Sequence, residues 1–180
     1  MKTFKKIMVL TMTLSLVLFS SCSKSDDAGG NGSASSGTLT AKVDGTSYQS
    51  MEISSSATVA NTGPGENLII IASNSDGNAF AITIFGYTGT GTYEITGANI
   101  AVTNAASYSE TNVNLSNPTA STTEIWQAPY DATKIGSLSV SEETGSTIKG
   151  TFNFKCKNVL GDSSIKNITD GAFNLTKKTS

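Results

Sequence analysis

From Ile148 to Lys157 the side chains alternate without a fault: Phe152, Phe154 and Cys156 fall on one side, Thr151, Asn153, Lys155 and Lys157 on the other. A two-residue period belongs to extended backbone, so this segment is a strand with one dry face and one wet face. Such a strand needs neighbours that bury their own apolar faces against the same core. The chain supplies them. Leu39, Ala41 and Val43 alternate with polar residues up to Asp44-Gly45, which reads as a turn. Leu68 to Ala72 is apolar throughout, Asp76-Gly77 follows, and Phe80, Ile82 and Ile84 resume in register, so a hairpin is expected there.

Further strands are expected at Thr92 to Thr96, at Glu124 to Tyr130 with Trp126, at Ile135 to Val140, and at Phe173 to Leu175 after an Asp170-Gly171 turn. Gly145 marks a turn between Glu142 and Ser146. Residues 97 to 122 admit two readings: short edge strands around Ile100, Val102, Val113 and Leu115, or one long surface loop. After residue 21 helical periodicity is almost absent, while Ser, Thr, Asn and Gly abound. The expected class is all-β: an antiparallel meander of about eight or nine strands, closed as a β-sandwich or a flattened barrel. One domain, residues 38–180, accounts for the length.

The first 21 residues differ in kind. Lys2, Lys5 and Lys6 precede an apolar run from Ile7 to Phe19, the pattern of an export signal. A helix of that run rises only about 20 Å, short of the roughly 30 Å of bilayer hydrocarbon, so it does not serve as a spanning anchor. Leu18-Phe19-Ser20-Ser21-Cys22 resembles the lipobox of bacterial lipoproteins, with Phe19 its one departure from the commonest pattern. The resemblance implies cleavage before Cys22 and acylation of that cysteine, which ties the chain to a membrane by several acyl chains, palmitate among them. Ser23 stands where an inner-membrane retention signal has Asp, and Ser25-Asp26-Asp27 is similar to the short acidic run that directs Bacteroidota lipoproteins to the cell surface. Outer membrane, facing the exterior, is the expected location. Residues 23 to 37 are Ser, Gly, Asp, Ala, Asn and one Lys, the composition of a flexible tether with a reach of about 20 Å.

Leu39-Thr-Ala-Lys-Val-Asp-Gly45, Gly91-Thr-Tyr93, Gly150-Thr-Phe-Asn-Phe-Lys-Cys-Lys-Asn158 and Ile168-Thr-Asp-Gly-Ala-Phe173 together resemble an uncharacterised Bacteroidota lipoprotein family. The resemblance spans most of residues 38 to 176 and implies lineage, lipid attachment and a β-rich fold. Its motifs are strands and turns, and it supplies no catalytic residues. Cys156 stands where the family commonly has alanine, which implies that the position needs only a small buried side chain.

Several chemistries are closed to this chain. It has no His, so a Ser-His-Asp triad, a Cys-His pair and His-ligated zinc are excluded. Once Cys22 is acylated, Cys156 is the sole thiol; it shares a face with Phe152 and Phe154 and is expected in the core. The chain has no Arg, and three of its 12 lysines precede the cleavage point; nine then face 14 acids, a formal −5 with no basic stripe, which argues against nucleic acid. Glu52, Glu66, Glu94, Glu110, Glu124, Asp131, Glu142 and Glu143 are scattered, and a glycosidase needs two acids about 5 to 10 Å apart across a groove. Asn74-Ser-Asp76-Gly-Asn78 has oxygen ligands but lacks the further acids of a calcium loop, and a turn explains it. Tyr87, Tyr93, Tyr108, Trp126 and Tyr130 fit either a stacking platform or the core, and the glycines of Thr88-Gly-Thr-Gly-Thr92 read as a turn.

No catalytic, metal or cofactor residue is assigned, and Cys22 is the one site. The leading expectation is a non-enzymatic, surface-displayed domain that binds or scaffolds a polysaccharide, a peptide or an envelope protein. A carrier of a small apolar ligand would instead require an apolar cavity, and a hydrolase would require paired carboxylates.

Overall fold

The computed structural model describes residues 33–61, 65–98 and 102–179. Eleven strands make up about two thirds of it: β1 (Thr38–Val43), β2 (Thr46–Gln49), β3 (Ser55–Asn61), β4 (Glu66–Ser73), β5 (Ala79–Tyr87) and β6 (Gly91–Thr96) come first. After them follow β7 (Ala105–Asn112), β8 (Thr122–Ala128), β9 (Lys134–Glu143), β10 (Thr147–Lys157) and β11 (Ile165–Thr179). Among the described residues the only helical turns are two short 3-10 segments, Glu52–Ser54 and Pro118–Ala120.

The strands form two layers. One runs β2-β1-β11-β10-β9-β6 and the other β3-β4-β5-β7-β8. At one side Lys177 to Thr179 of β11 pair in parallel with Ala57 to Val59 of β3, the single parallel contact among the described residues; at the other, Lys157 of β10 bridges to Gln127 of β8. The sheet therefore returns on itself as a flattened barrel. Phe80 of β5 pins the layers together. Its ring meets Tyr48 edge-on at 4.8 Å between centroids and Tyr108 at 4.9 Å, with Phe152 and Phe154 of the facing layer at 5.7 and 6.3 Å. Leu39, Leu68, Ile70, Ile84, Ile148 and Leu175 fill the rest of the interlayer space with no exposed surface.

On β10 the alternation holds residue by residue: Phe152, Phe154 and Cys156 are buried and Thr151, Asn153 and Lys155 exposed. Each aromatic of this seam faces a glycine on the adjoining strand. Phe152 pairs with Gly171, Phe173 with Gly150, and Phe154 with Gly136. A Cβ on Gly150 would run into the Phe173 ring and the Ser139 carbonyl oxygen. The glycines are needed because the rings lie across them.

All-β architecture agrees with the sequence, but the strands number eleven and the meander is interrupted. Chain order and spatial order coincide over β3-β4-β5, β7-β8 and β9-β10-β11, whereas β6 leaves the second layer to pair with β9 at the far edge of the first. Residues 105–112 form a full strand in a region read as loop or edge: Tyr108 lies between Phe80 and Trp126 in register, and the small residues around it suit close strand pairing. Val102, Val113 and Leu115 are exposed outside any strand, and Ile100 lies outside the described residues. The last strand begins at Ile165, eight residues earlier than expected. Asp170-Gly171 is a bulge inside it: Asp170 has φ 51° and the register slips against both β10 and β1. The chain also joins the domain ahead of Thr38, with Ala34 buried and the Gly37 amide donating to the Asn174 carbonyl at 2.7 Å.

In chemical denaturation Phe154→Ala is expected to cost about 3–5 kcal/mol and Lys155→Ala under about 0.5 kcal/mol. Gly150→Ala should cost about 1–3 kcal/mol by overpacking. Equal effects at 154 and 155 would show that the register is wrong. Burial pushes the Cys156 thiol up to about 12, so a maleimide should label it only after unfolding.

Candidate functional site

The β7–β8 hairpin outruns its neighbour. β5 begins at Ala79, opposite Ser109, and beyond that point β7 and β8 pair only with each other out to Asn112 and Thr122. The inward face of the hairpin carries Tyr108 and Trp126 over the core, then Glu110 opposite Glu124, then Asn112 opposite Thr122. Where the facing layer stops, the inner surface changes from aromatic to polar. This overhang roofs one end of the domain.

Beneath it two clefts share Asn78 and Glu110 as a common wall. One, about 260 Å³, opens between the β1–β2 turn at Asp44, the β4–β5 turn at Asp76, and Lys166. The other, about 440 Å³, opens under Glu110, Asn112, Thr122 and Glu124. Lys166 governs the junction. Its Nζ donates to Glu110 Oε1 at 2.6 Å and sits 4.5 Å from the centre of the Trp126 ring. The indole in turn donates from Nε1 to Ser164 Oγ at 2.9 Å. An ammonium held on an aromatic face and a carboxylate is fixed in place, and Glu110, the more exposed of the pair, faces both clefts. The walls are held by backbone. Asn74 Oδ1 accepts from the amides of Asp76 and Asn78, Asn78 Oδ1 accepts from the Thr111 amide, and Asp44 Oδ1 accepts from the Asn167 amide.

The eight acids singled out in the sequence take separate paths. Glu94 pairs with Lys134 at 2.7 Å, Glu142 with Lys149 at 2.9 Å, and Asp131 accepts from Thr133; Glu52 and Glu66 are exposed. Only Glu110 and Glu124 are set directly opposite each other, as cross-strand partners. Tyr87, Tyr108 and Trp126 are buried, Tyr93 packs on Tyr87, and Tyr130 is half-buried, so these aromatics belong to the core and its margin. Asn74 to Asn78 is a hairpin turn, and among the described residues no group of three or more acids and cysteines is placed to hold a metal ion. Cys22, Asp26 and Asp27 lie outside the described residues. Lys166 was missed; its parity with Ile168 puts it on the dry face, a signal readable only once β11 is known to start at Ile165.

A second polar cluster lies at the other end. Glu143 Oε1 accepts from Lys177 Nζ at 2.5 Å and its Oε2 from the Tyr87 hydroxyl at 2.7 Å, both ions mostly buried. Burial alone would raise the Glu143 pKa, but the Lys177 and Tyr87 hydrogen bonds and the Lys177 charge outweigh it and hold the carboxyl below its ordinary value. Burial first, and then Glu143, push the Tyr87 hydroxyl upward. With both Glu143 oxygens accepting, one from Lys177 and one from Tyr87, this cluster reads as a lock between β5, β9 and β11.

Fold and cleft together define a two-layer β domain with a filled interior and a polar recess at one end. Residues 35–175 match a family model described as Domain of unknown function (DUF6252), and the chain belongs to that family. No curated protein and no solved structure matches the chain.

Glu143→Gln is expected to destabilise the domain by about 1.5–3 kcal/mol at neutral pH. Because the folded pKa is depressed, the stabilisation is complete above the ordinary carboxylate range and fades as pH falls through the folded value. Urea midpoints of wild type and variant should therefore converge on acidification below about pH 4. A gap that persists unchanged at low pH would show that Glu143 acts through shape rather than charge.

Proposed function

We propose that this chain is a lipid-anchored envelope protein of the Bacteroidota kind, acylated on Cys22 and displayed at the outer membrane, whose β domain binds a ligand without transforming it. One observation carries the proposal: tether and recess lie at opposite ends. The chain enters beside Lys149, Gly150 and Asn174, whereas Lys166 is the register partner of Cys156. Six residues of β10 separate those levels, about 20 Å at 3.4 Å per residue. A domain anchored through its N-terminal segment then holds the recess away from the lipid.

The lining favours a neutral, hydroxyl- or amide-rich ligand such as a polysaccharide end or a short polar peptide. Carboxylates, asparagines and Lys166 offer donors and acceptors side by side, and clefts of about 260 and 440 Å³ suit a small group. A carrier of apolar ligands is disfavoured because side chains of both layers fill the space between them. Hydrolysis is the second reading, and the opposed Glu110 and Glu124 are what favour it. Against it, Glu110 already holds Lys166 and Glu124 is exposed, whereas a general acid needs an apolar wall to keep its proton.

Cys22→Ala should abolish metabolic palmitate labelling and leave uncleaved precursor; continued labelling would refute the anchor. Protease added to intact cells should remove the domain, and protection until lysis would put it on the periplasmic side. In affinity electrophoresis through soluble neutral polysaccharides, wild type should be retarded by at least one of them and Lys166→Ala should lose the retardation. Release of reducing ends during that contact would instead favour the hydrolase.

A further inference from the structure

The two outer faces of this domain are chemically unlike. On the six-stranded layer the outward residues include Lys42, Lys149, Lys155, Glu94, Glu142 and Asp170, several of them paired across strands. On the five-stranded layer every outward position of β3, β4, β5, β7 and β8 is Ser, Thr, Ala, Ile, Asn, Gln or Phe. None is charged. One row across it reads Ser56, Ile71, Ala81, Ser107, Gln127 in register. Ile71, Phe85 and Ile125 stand out of it with 52%, 41% and 45% of their surface exposed. Solvated strand faces ordinarily carry charge, and a wide uncharged face studded with large apolar side chains has the composition of an interface centre.

We propose that this face docks a second copy of the chain, sheet against sheet, about a two-fold axis. Three arguments select that occupant. The first is charge: residues 33–180 keep eight of the chain's 12 lysines and twelve of its 14 acids, a net −4, so two copies repel each other on most approaches. An uncharged face is self-compatible, because a two-fold contact sets no like charges opposite, and it has nothing to offer a charged partner. The second is area. Five strands about 4.8 Å apart, with outward positions about 6.8 Å apart along each, span roughly 24 Å by 24 Å. That footprint of roughly 600 Å², before side-chain relief, is within reach of the ~800 Å² per partner of an ordinary stable interface. The third is shape: Ala81, Ser107 and Ser109 at the centre are small, so a second sheet can approach to the usual ~10 Å of packed layers, and Ile71 and Ile125 flank that floor as anchors. A flat polysaccharide would instead call for several coplanar exposed aromatics, and Phe85 stands alone.

The test uses residues 23–180, which contain every described residue. Sedimentation velocity from low-micromolar to near-millimolar concentration should show a reversible dimer. Ile71→Lys combined with Ile125→Lys should weaken association by about tenfold or more while leaving the thermal midpoint in place. Ser107→Cys, at the centre of the face, should be joined into a covalent dimer by a short bis-maleimide able to span the ~10 Å between packed sheets, and Asn153→Cys on the opposite face should not; native Cys156 is buried and silent. A chain that stays monomeric throughout, a dimer indifferent to the paired lysines, or cross-linking as fast through Asn153→Cys overturns the proposal.

Discussion

Phenylalanine rings laid across glycines hold the β9-β10-β11 seam, and the rest of the domain is built outward from it. Phe152 over Gly171, Phe173 over Gly150 and Phe154 beside Gly136 put large side chains where a Cβ on the partner strand would collide with a ring or a carbonyl. The rings gain contact along their flat faces and shield strand backbone that a glycine leaves bare. Phe152 also reaches across the interior to Phe80, and Phe80 touches Tyr48 and Tyr108. The seam thus ties both layers and the β1–β2 hairpin into a single aromatic cluster.

β11 is able to serve both layers because it bends. The extra residue of the bulge at Asp170-Gly171 adds to the bend midway along the strand: Ile168 to Asn174, on both sides of it, lie between β1 and β10, pairing with β10 runs on to Thr176, and the last three residues pair with β3. The bend then has to be held at its far end, and the Lys177–Glu143–Tyr87 trio does this with one mostly buried ion pair and one charged hydrogen bond. Ion pairs of this kind gain little over an apolar substitute, but they leave a strongly unfavourable orphan charge if the strand pulls away.

Legibility in the sequence followed the contrast between wet and dry faces. β1 and β10 alternate large apolar with polar residues, β5 sets Phe80, Ile82 and Ile84 against small or polar neighbours, β4 is a short apolar run bounded by turn residues, and each was readable to within a residue or two. β7 was not, because Ala105-Ala-Ser-Tyr-Ser109 offers one large apolar side chain and its partners are fixed only by the rings of Phe80 and Trp126 on either side. Asp170-Gly171 has the composition of a turn and acts as a bulge; local chemistry favours φ > 0 at both uses, and only the pairing with β10 tells them apart. The recess was out of reach for a further reason. Its walls come from the turns at Asp44 and Asp76, from β7–β8 and from Lys166, segments whose proximity depends on the strand order and not on spacing.

A filled interior moves every possible function of this domain to its surface, and the surface has two regions out of the ordinary. They make different demands. The recess lies at one end of the strands and needs open space beyond it, whereas the uncharged face runs along the strands and can be covered without closing that end. If two copies meet on that face about an axis parallel to the strands, both chains leave from the same end and both recesses open at the other. With Cys22 acylated as proposed, two anchors could then sit in one membrane, and two adjacent recesses could engage a repeating ligand with the gain that linked sites have over single ones. The alternative two-fold, with its axis in the plane of the interface but perpendicular to the strands, would set the strands antiparallel and send the two tethers to opposite ends, which chains anchored as proposed on short leashes in one leaflet could not adopt. The tether therefore limits the symmetry that the face is able to use.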